Sequence, residues 1–288
     1  MEHQRTRPRR SLIFMPGNKP EMFAKALTAG ADIVCIDLED AIAPHDKVEA
    51  RAKTLDLFKN GDPSANSEEV SPECIVRINC LRTPDGLADL LALTQAEQGP
   101  LAIMLPKVKS PDEIQVHDEL LDGAHADIRF HVIIETNEGL EAAYDIARCS
   151  SRIDSLLFGG VDMAAELRVE PTWNELLYAR SKVVHAAASA SLDLIDVPFM
   201  DLGDMDGLEA EATAVQQLGF TGKAAIHPRQ IPTLNRCFSP TEEQILMARR
   251  VIDEFEKQGT GLVVIDNKLV EKPVLRSMYR ILAIAERL

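Results

Sequence analysis

The sequence predicts an α/β protein, a (β/α)8 TIM barrel with a C-terminal helix–hairpin–helix extension, on three observations. Short apolar runs alternate with longer amphipathic stretches, eight such runs fall between residues 11 and 226, and the pattern changes after about Ser239. Strands alternating with helices imply βα units with right-handed crossovers, and eight of them fit a closed barrel better than an open sheet. An open doubly wound sheet would want a Gly-rich phosphate turn after its first strand. The chain has Pro16-Gly17-Asn18-Lys19-Pro20 there, with a single glycine.

The expected strands are Leu12–Met15, Ile33–Leu38, Ile75–Ile78, Ala102–Leu105, Phe130–Ile134, Ser155–Phe158, Leu194–Val197 and Lys223–Ile226. Each reads as buried rather than strictly alternating, as strands of a parallel sheet covered on its outer face should. Helices are expected at Glu21–Ala29, Asp46–Phe58, Pro84–Ala96, Ser110–Leu121, Glu138–Ala147, Trp173–Ser189 and Gly207–Leu218. Thr83 is a candidate N-cap ahead of a proline in the first turn. Ser110-Pro111-Asp112-Glu113 reads as a capping box. The barrel is assigned residues 1–238 and the extension residues 239–288. Within the extension, Ser239-Pro240-Thr241-Glu242-Glu243 opens a helix running to about Lys257, and Gly259-Thr260-Gly261 breaks it. A hairpin turning at Asp266-Asn267 and a last helix, Pro273–Leu288, follow. Gly61–Pro72, rich in Ser, Asn, Pro and Glu, reads as a disordered loop.

Composition excludes several classes of function. At 288 residues the chain can bury a full core, and a net charge of −15 argues against binding a phosphate backbone. No apolar run approaches the ~18 residues of a membrane span. The basic Met1–Arg10 has no apolar segment behind it, which argues against a secretory signal. Five scattered cysteines, none with zinc spacing, suit a reducing cytoplasm.

In such a barrel, chemistry sits at the C-terminal ends of strands. Those ends carry Asp37-Leu38-Glu39-Asp40, Arg77 and Asn79, Pro106-Lys107, Glu135-Thr136-Asn137, Gly159-Gly160-Val161-Asp162 and His227-Pro228-Arg229. Glu135 and Asp162 each follow a buried run on neighbouring strands, and two hard oxygen ligands with water and substrate completing the shell is how Mg²⁺ is usually held. The structural alternative makes Glu135 the cap of the helix near Glu138 and Asp162 the cap of a turn at Met163. Three carboxylates in four residues, Asp37, Glu39 and Asp40, repel one another unless cations or ordered waters are near. Arg77 within a buried strand needs an anionic partner, either substrate or an acidic neighbour such as Asp37 or Glu39. His227 could be a catalytic acid or, held by backbone hydrogen bonds, could shape a pocket.

Taken in order, Arg10-Ser11-Leu12-Ile13-Phe14-Met15-Pro16-Gly17, Asp37-Leu38-Glu39-Asp40-Ala41, Val76-Arg77-Ile78-Asn79, Leu105-Pro106-Lys107, Ile134-Glu135-Thr136, Gly159-Gly160-Val161-Asp162 and Gly219-Phe220-Thr221-Gly222-Lys223 through Ile226-His227-Pro228-Arg229-Gln230-Ile231 resemble the citrate lyase β-subunit-like family. That family includes malyl-CoA and citramalyl-CoA lyases. The resemblance implies Mg²⁺ on Glu135 and Asp162, with Mn²⁺ left open as the working ion. It implies Glu39 and Asp40 on metal waters and Arg77 on the thioester-derived oxygen. Arg10, Pro16, Ile226, His227 and Pro228 become substrate-contacting positions, with Pro16, Ile226 and Pro228 lining a CoA channel. It also implies a homotrimer or a multiple such as a hexamer, in which a carboxylate of the C-terminal hairpin reaches a neighbouring subunit's site. That acid is Glu271, in Asp266-Asn267-Lys268-Leu269-Val270-Glu271-Lys272-Pro273, where the family usually has Gly for Asn267 and Asp for Glu271.

The expected activity is Mg²⁺-dependent cleavage of a 3-hydroxy-3-carboxyacyl-CoA to an acyl-CoA and an α-keto acid, with Arg77 stabilising the enolate and Glu271 moving the proton. The alternatives are a citrate lyase β subunit acting on citryl-acyl carrier protein, a malyl-CoA-type thioesterase, and a non-catalytic CoA-ester-binding protein. None of these needs nucleic acid or a membrane.

Overall fold

Eight parallel strands close into a barrel in sequence order in the computed structural model, which describes residues 7–61, 71–258, 262–265, 268–286 and 288. Strand β1 (Ser11–Pro16) pairs with both β2 (Ile33–Asp37) and β8 (Gly222–Ala225), which is the closure. Between them run β3 (Glu73–Arg77), β4 (Ala102–Leu105), β5 (Arg129–Ile134), β6 (Ile153–Phe158) and β7 (Asp193–Asp196). Around the barrel lie α1 (Phe23–Leu27), α2 (Lys47–Leu57), α3 (Pro84–Gln95), α4 (Pro111–Leu120), α5 (Asn137–Arg148), α6 (Gly160–Leu167), α7 (Trp173–Ala190), α8 (Met205–Leu218) and α9 (Ile231–Cys237).

The barrel interior is a packed core to which every strand contributes, with Leu12, Ile33, Ile75, Met104, Ile133 and Leu157 among the buried side chains. Cys35 and Cys74 are buried in the wall as small hydrophobes. Ion pairs close the N-terminal mouth below this core. Arg9 donates to Glu73 at 2.7 and 2.9 Å, to Asp154 at 2.8 Å and to Asp193 at 3.1 Å. No helix among the described residues is long and apolar enough to cross a membrane.

All eight expected strands are present, each within two residues of its expected bounds. Thr83 caps α3, its hydroxyl accepting from Gly86 N at 3.0 Å. The capping box at Ser110 is a correction: Ser110 is extended at the N-cap position, but its side chain accepts no capping hydrogen bond. Glu113, the box's other half, accepts from Arg82 Nε at 2.6 Å through one oxygen and, at 3.4 Å, from Lys109 N rather than Ser110 N through the other. Two helices were not anticipated. Helix α6 begins at Gly160 without a side-chain cap, so its Gly-Gly start reads as loop, and α9 is a short continuation of the loop after β8.

The chain divides into two compact units, Arg9–Asn235 and a smaller one that takes in Arg236–Leu288. Helix α10 (Glu242–Gln258), the antiparallel pair β9 (Leu262–Ile265) and β10 (Lys268–Glu271), and helix α11 (Lys272–Ala285) make up the latter. Its own small core joins Val251, Ile265 and Val270 to Phe255 and Met278. The turn at Asp266-Asn267, the break at Gly259-Thr260-Gly261 and residues 62–70 of the loop read as disordered lie outside the described residues.

Candidate active site

Glu135, the residue after β5, is only 3% exposed. Its Oε1 accepts from the backbone N–H of Lys107 at 2.8 Å. It does not cap α5, because Thr136 does: the Thr136 hydroxyl accepts from Gly139 N at 3.0 Å. A Cβ at Gly159, the residue after β6, would sit 2.5 Å from the Glu135 Cβ and closer still to its Oε2. Only glycine leaves that carboxylate room in its present place. Asp162 follows in the first turn of α6, half-buried, inside the helix rather than capping it. Burial, together with the nearby charges of Glu39 and Asp162, pushes the Glu135 carboxyl up to about 8.

The acidic motif after β2 is ordered by Asp37. That carboxylate accepts from the backbone N–H of Glu39 at 2.8 Å and of Ala41 at 3.0 Å, folding the turn around itself. It also receives a two-point contact from Arg77, Nε at 2.8 Å and Nη2 at 2.6 Å. The Arg77 guanidinium lies 4.9 Å from the Phe14 ring centre, and its third nitrogen faces Glu39 Oε2 at 3.2 Å. The acidic neighbour foreseen as a partner for Arg77 is therefore Asp37, with Glu39 beside it. Glu39 is buried and Asp40 is exposed. Burial raises the Glu39 carboxyl above its ordinary value, and Arg77 and Lys107 offset this only in part.

Lys107 was among the strand-end residues but was given no role by the sequence. Its ammonium pairs with Glu39 Oε1 and lies 3.4 Å from Asp40 Oδ1. The signal was there in Pro106-Lys107 directly after β4. Five carboxylates (Asp37, Glu39, Asp40, Glu135, Asp162) thus meet three cations: Arg77, Lys107 and Lys47, whose ammonium donates to the carbonyls of Leu38 and Glu39 at 3.0 Å. An all-oxygen, net-negative set, with one carboxyl driven toward its neutral form, suits a hard divalent cation. Glu135 and Asp162 fit as its ligands, since the two carboxylates lie near enough for the charge of Asp162 to raise Glu135.

The remaining predicted residues fall in three places. Pro16 ends β1, while Ile226 and Pro228 follow β8 and are exposed, so neighbouring strands carry all three to this same rim. His227 Nδ1 accepts from Arg229 N at 3.1 Å, and buried Gln230 accepts from Ile226 N at 2.9 Å and donates to Phe199 O at 2.9 Å. His227 is thus engaged in capping the turn after β8, the backbone-held arrangement foreseen for it. Arg10 is a correction. It precedes β1, and its guanidinium grips Asp32 at 2.8 and 2.9 Å ahead of β2, at the opposite mouth of the barrel from the acidic rim. Glu271 ends β10 in the smaller unit, exposed, with no capping hydrogen bond.

Fold and site define a (β/α)8-barrel protein with a cluster of carboxylates at its C-terminal rim. The chain belongs to the HpcH/HpaI aldolase/citrate lyase family, whose profile matches residues 10–228, and members of that family are lyases that cleave C–C bonds. It is 33% identical to citrate lyase subunit beta of Leuconostoc mesenteroides subsp. cremoris, covering 97% of this chain and 94% of that one. It is 32% identical to the mitochondrial citramalyl-CoA lyase of Rattus norvegicus, covering 96% and 86%. Among solved structures it resembles CitE from Mycobacterium tuberculosis in complex with magnesium, acetoacetate and coenzyme A, with a TM-score of 0.78, 29% identity and coverage of 98% and 99%.

Proposed function

We propose that this chain is a Mg²⁺-dependent lyase that cleaves a 3-hydroxy-3-carboxyacyl-CoA, of malyl-CoA or citramalyl-CoA type, to an acyl-CoA and an α-keto acid. The observation that carries the reading is the buried Glu135 carboxylate at the end of β5, held by Lys107 N–H and near the charges of Glu39 and Asp162. The similarity to a citramalyl-CoA lyase and to a protein solved with magnesium and coenzyme A supports it.

When bound, Mg²⁺ supplies the Lewis acidity that gathers the substrate's carboxylate and hydroxyl and makes the hydroxyl easier to deprotonate. Glu135 and Asp162 would hold the ion, and Glu39 and Asp40 would accept hydrogen bonds from the water around it. Arg77 faces the developing enolate oxygen. Because Asp37 fixes two edges of the guanidinium and Phe14 supports its face, it need not reorganise as charge builds on that oxygen. Pro16, Ile226 and Pro228 offer an apolar wall to the CoA arm.

Glu271 of a neighbouring subunit would protonate the enolate carbon. Its hairpin has an apolar face to bury in a homotrimer or hexamer: the cross-strand partners Val264 and Leu269 are both exposed. A second reading, a citrate lyase β subunit acting on citryl-acyl carrier protein, is favoured by the identity to the Leuconostoc subunit.

The test incubates purified protein with Mg²⁺ and citramalyl-CoA or malyl-CoA, following free thiol and α-keto acid together. Keto acid with acetyl-CoA and no free thiol is the expected result. Free CoA released with intact hydroxy acid would make the protein a thioesterase instead. Neither product, together with keto acid formed from citryl-acyl carrier protein, would move the assignment to the citrate lyase subunit.

A further inference from the structure

Three non-glycine residues among those described have a left-handed backbone, Lys107 (φ 54°), Arg168 (φ 61°) and Ser191 (φ 58°). Arg168 and Ser191 terminate α6 and α7, where a left-handed residue closes the helix. Lys107 closes no helix. It follows β4 at the acidic rim and holds a conformation that costs a residue with a Cβ about 1–2 kcal/mol. Such strain persists where its surroundings demand it.

The contacts of Lys107 show what is gained. The left-handed turn aims its backbone N–H at Glu135 Oε1, 2.8 Å away. The same turn sends the side chain toward the loop after β2, where the ammonium meets Glu39 Oε1 and lies near Asp40 Oδ1. One residue therefore touches the carboxylate on β5 and the acidic motif on β2, two strands away on one side and one on the other. Because Lys107 holds both, the carboxylates of Glu39 and Glu135 are brought to the same part of the rim. The other Glu39 oxygen is buried and makes no hydrogen bond, with only the Arg77 ion pair at 3.2 Å beside it.

We propose that Lys107 is a positioning residue that keeps Glu39 off the cation: its main chain orients Glu135 as a ligand while its ammonium retains Glu39 as a hydrogen-bond acceptor. This rests on the reading of Glu135 and Asp162 as the metal ligands. Without the ammonium, Glu39 would be a buried carboxylate with one counter-charge fewer, free to turn toward the ion as a third protein ligand. The ion would then be bound more tightly and would have one position fewer to offer a substrate. Lys107 thus acts through Glu39 and touches no reacting atom. A merely structural lysine would make a different prediction, because its loss would loosen the site and weaken the metal.

The experiment measures Mn²⁺ binding by electron paramagnetic resonance, and turnover at saturating metal, for wild type, Lys107→Met, Lys107→Arg, Lys107→Gly and the double variant Lys107→Met/Glu39→Gln. Lys107→Gly keeps the left-handed turn without strain, so it isolates the ammonium from the backbone even if Lys107→Met folds poorly. The expected result for Met and Gly is Mn²⁺ binding tighter than wild type by up to ~10-fold, with kcat down at least ~10-fold, a scale set by the loss of one oriented group. Arginine should restore most of the turnover, and in the double variant the tightened binding should disappear. The proposal is overturned if the Gly variant binds Mn²⁺ no more tightly than wild type, or if its kcat is unchanged. The metal-binding arm needs no substrate. A wild type that binds Mn²⁺ through Glu135 but cleaves no CoA ester would therefore fail the functional reading alone.

Discussion

The two ends of this barrel are built from the same materials and arrive at opposite electrostatic states. At the N-terminal mouth, Arg9 meets Glu73, Asp154 and Asp193, while Arg10 holds Asp32 and Arg129 holds Asp154. Burial alone would raise the Glu73 carboxyl, yet His131 and Arg9 overcome it and hold it well below the usual carboxylate range. At the C-terminal rim, burial acts on Glu135 and nearby carboxylates add to it, so the carboxyl rises to about 8. The mouth has matched its charges and the rim has not. Unmatched buried charge is unfavourable to the fold, so it marks the rim as the candidate binding end.

The largest effect that would sharpen this contrast is the loss of Glu135. Glu135→Gln should lower kcat by on the order of 10³-fold or more, the scale of removing a key charged group from a site. The same substitution should not weaken the metal-free fold. Glu135 is raised from 4.5 to about 8, so its contribution to stability is full below its unfolded value and is lost as pH climbs through about 8. Metal-free wild type should therefore lose thermal stability between roughly pH 5 and 8 relative to Glu135→Gln, read from melting curves across that range. Parallel curves would refute the raised carboxyl.

Next comes Arg77→Ala, for which a ~10²–10³-fold fall in kcat is expected from the loss of the oxyanion-facing donor. Arg77→Lys should recover little, because a lysine cannot reproduce the two-point contact with Asp37. Turnover near wild type in the lysine variant would remove Arg77 from the chemistry. The mouth should answer in the other currency. Arg9→Met leaves Glu73 buried with one partner fewer and should cost ~3–5 kcal/mol of stability in chemical denaturation, with kcat of the folded protein unchanged.

A smaller effect belongs to neither end. Buried His117 has its pKa lowered, chiefly by burial, with Nδ1 2.7 Å from Glu113 O. Its neutral form is the folded one, so its contribution is present above its unfolded value near 6.5 and declines as pH falls. Replacement by Gln should flatten the acid side of the stability profile slightly.

Much of this was legible in the residue order, and what was not has identifiable causes. The strands showed themselves because Ile33 to Ile36 or Val132 to Ile134 are apolar on both faces, as in a covered parallel sheet. Glu135 stood out because a charge directly after such a run falls on the rim, and Asp162 because it follows the next run after only Gly159-Gly160-Val161. Lys107 looked like any lysine after a proline, since its role depends on a backbone angle that a lysine does not advertise. Arg10 was drawn to the substrate by its place in a shared motif, but a residue before a parallel strand leaves at the opposite mouth. Ser110 and Glu113 had the spacing of a capping box, and spacing could not show that Arg82, far along the chain, would take the glutamate.

The most direct measurement is calorimetric titration of Mg²⁺ into wild type, Glu135→Gln, Asp162→Asn and Arg9→Met at pH 7, in two buffers of different ionisation enthalpy. The account predicts one ion per chain with net proton release in wild type and Arg9→Met, and loss of binding in Glu135→Gln and Asp162→Asn. Wild-type binding that survives both rim substitutions would contradict it and place the cation elsewhere.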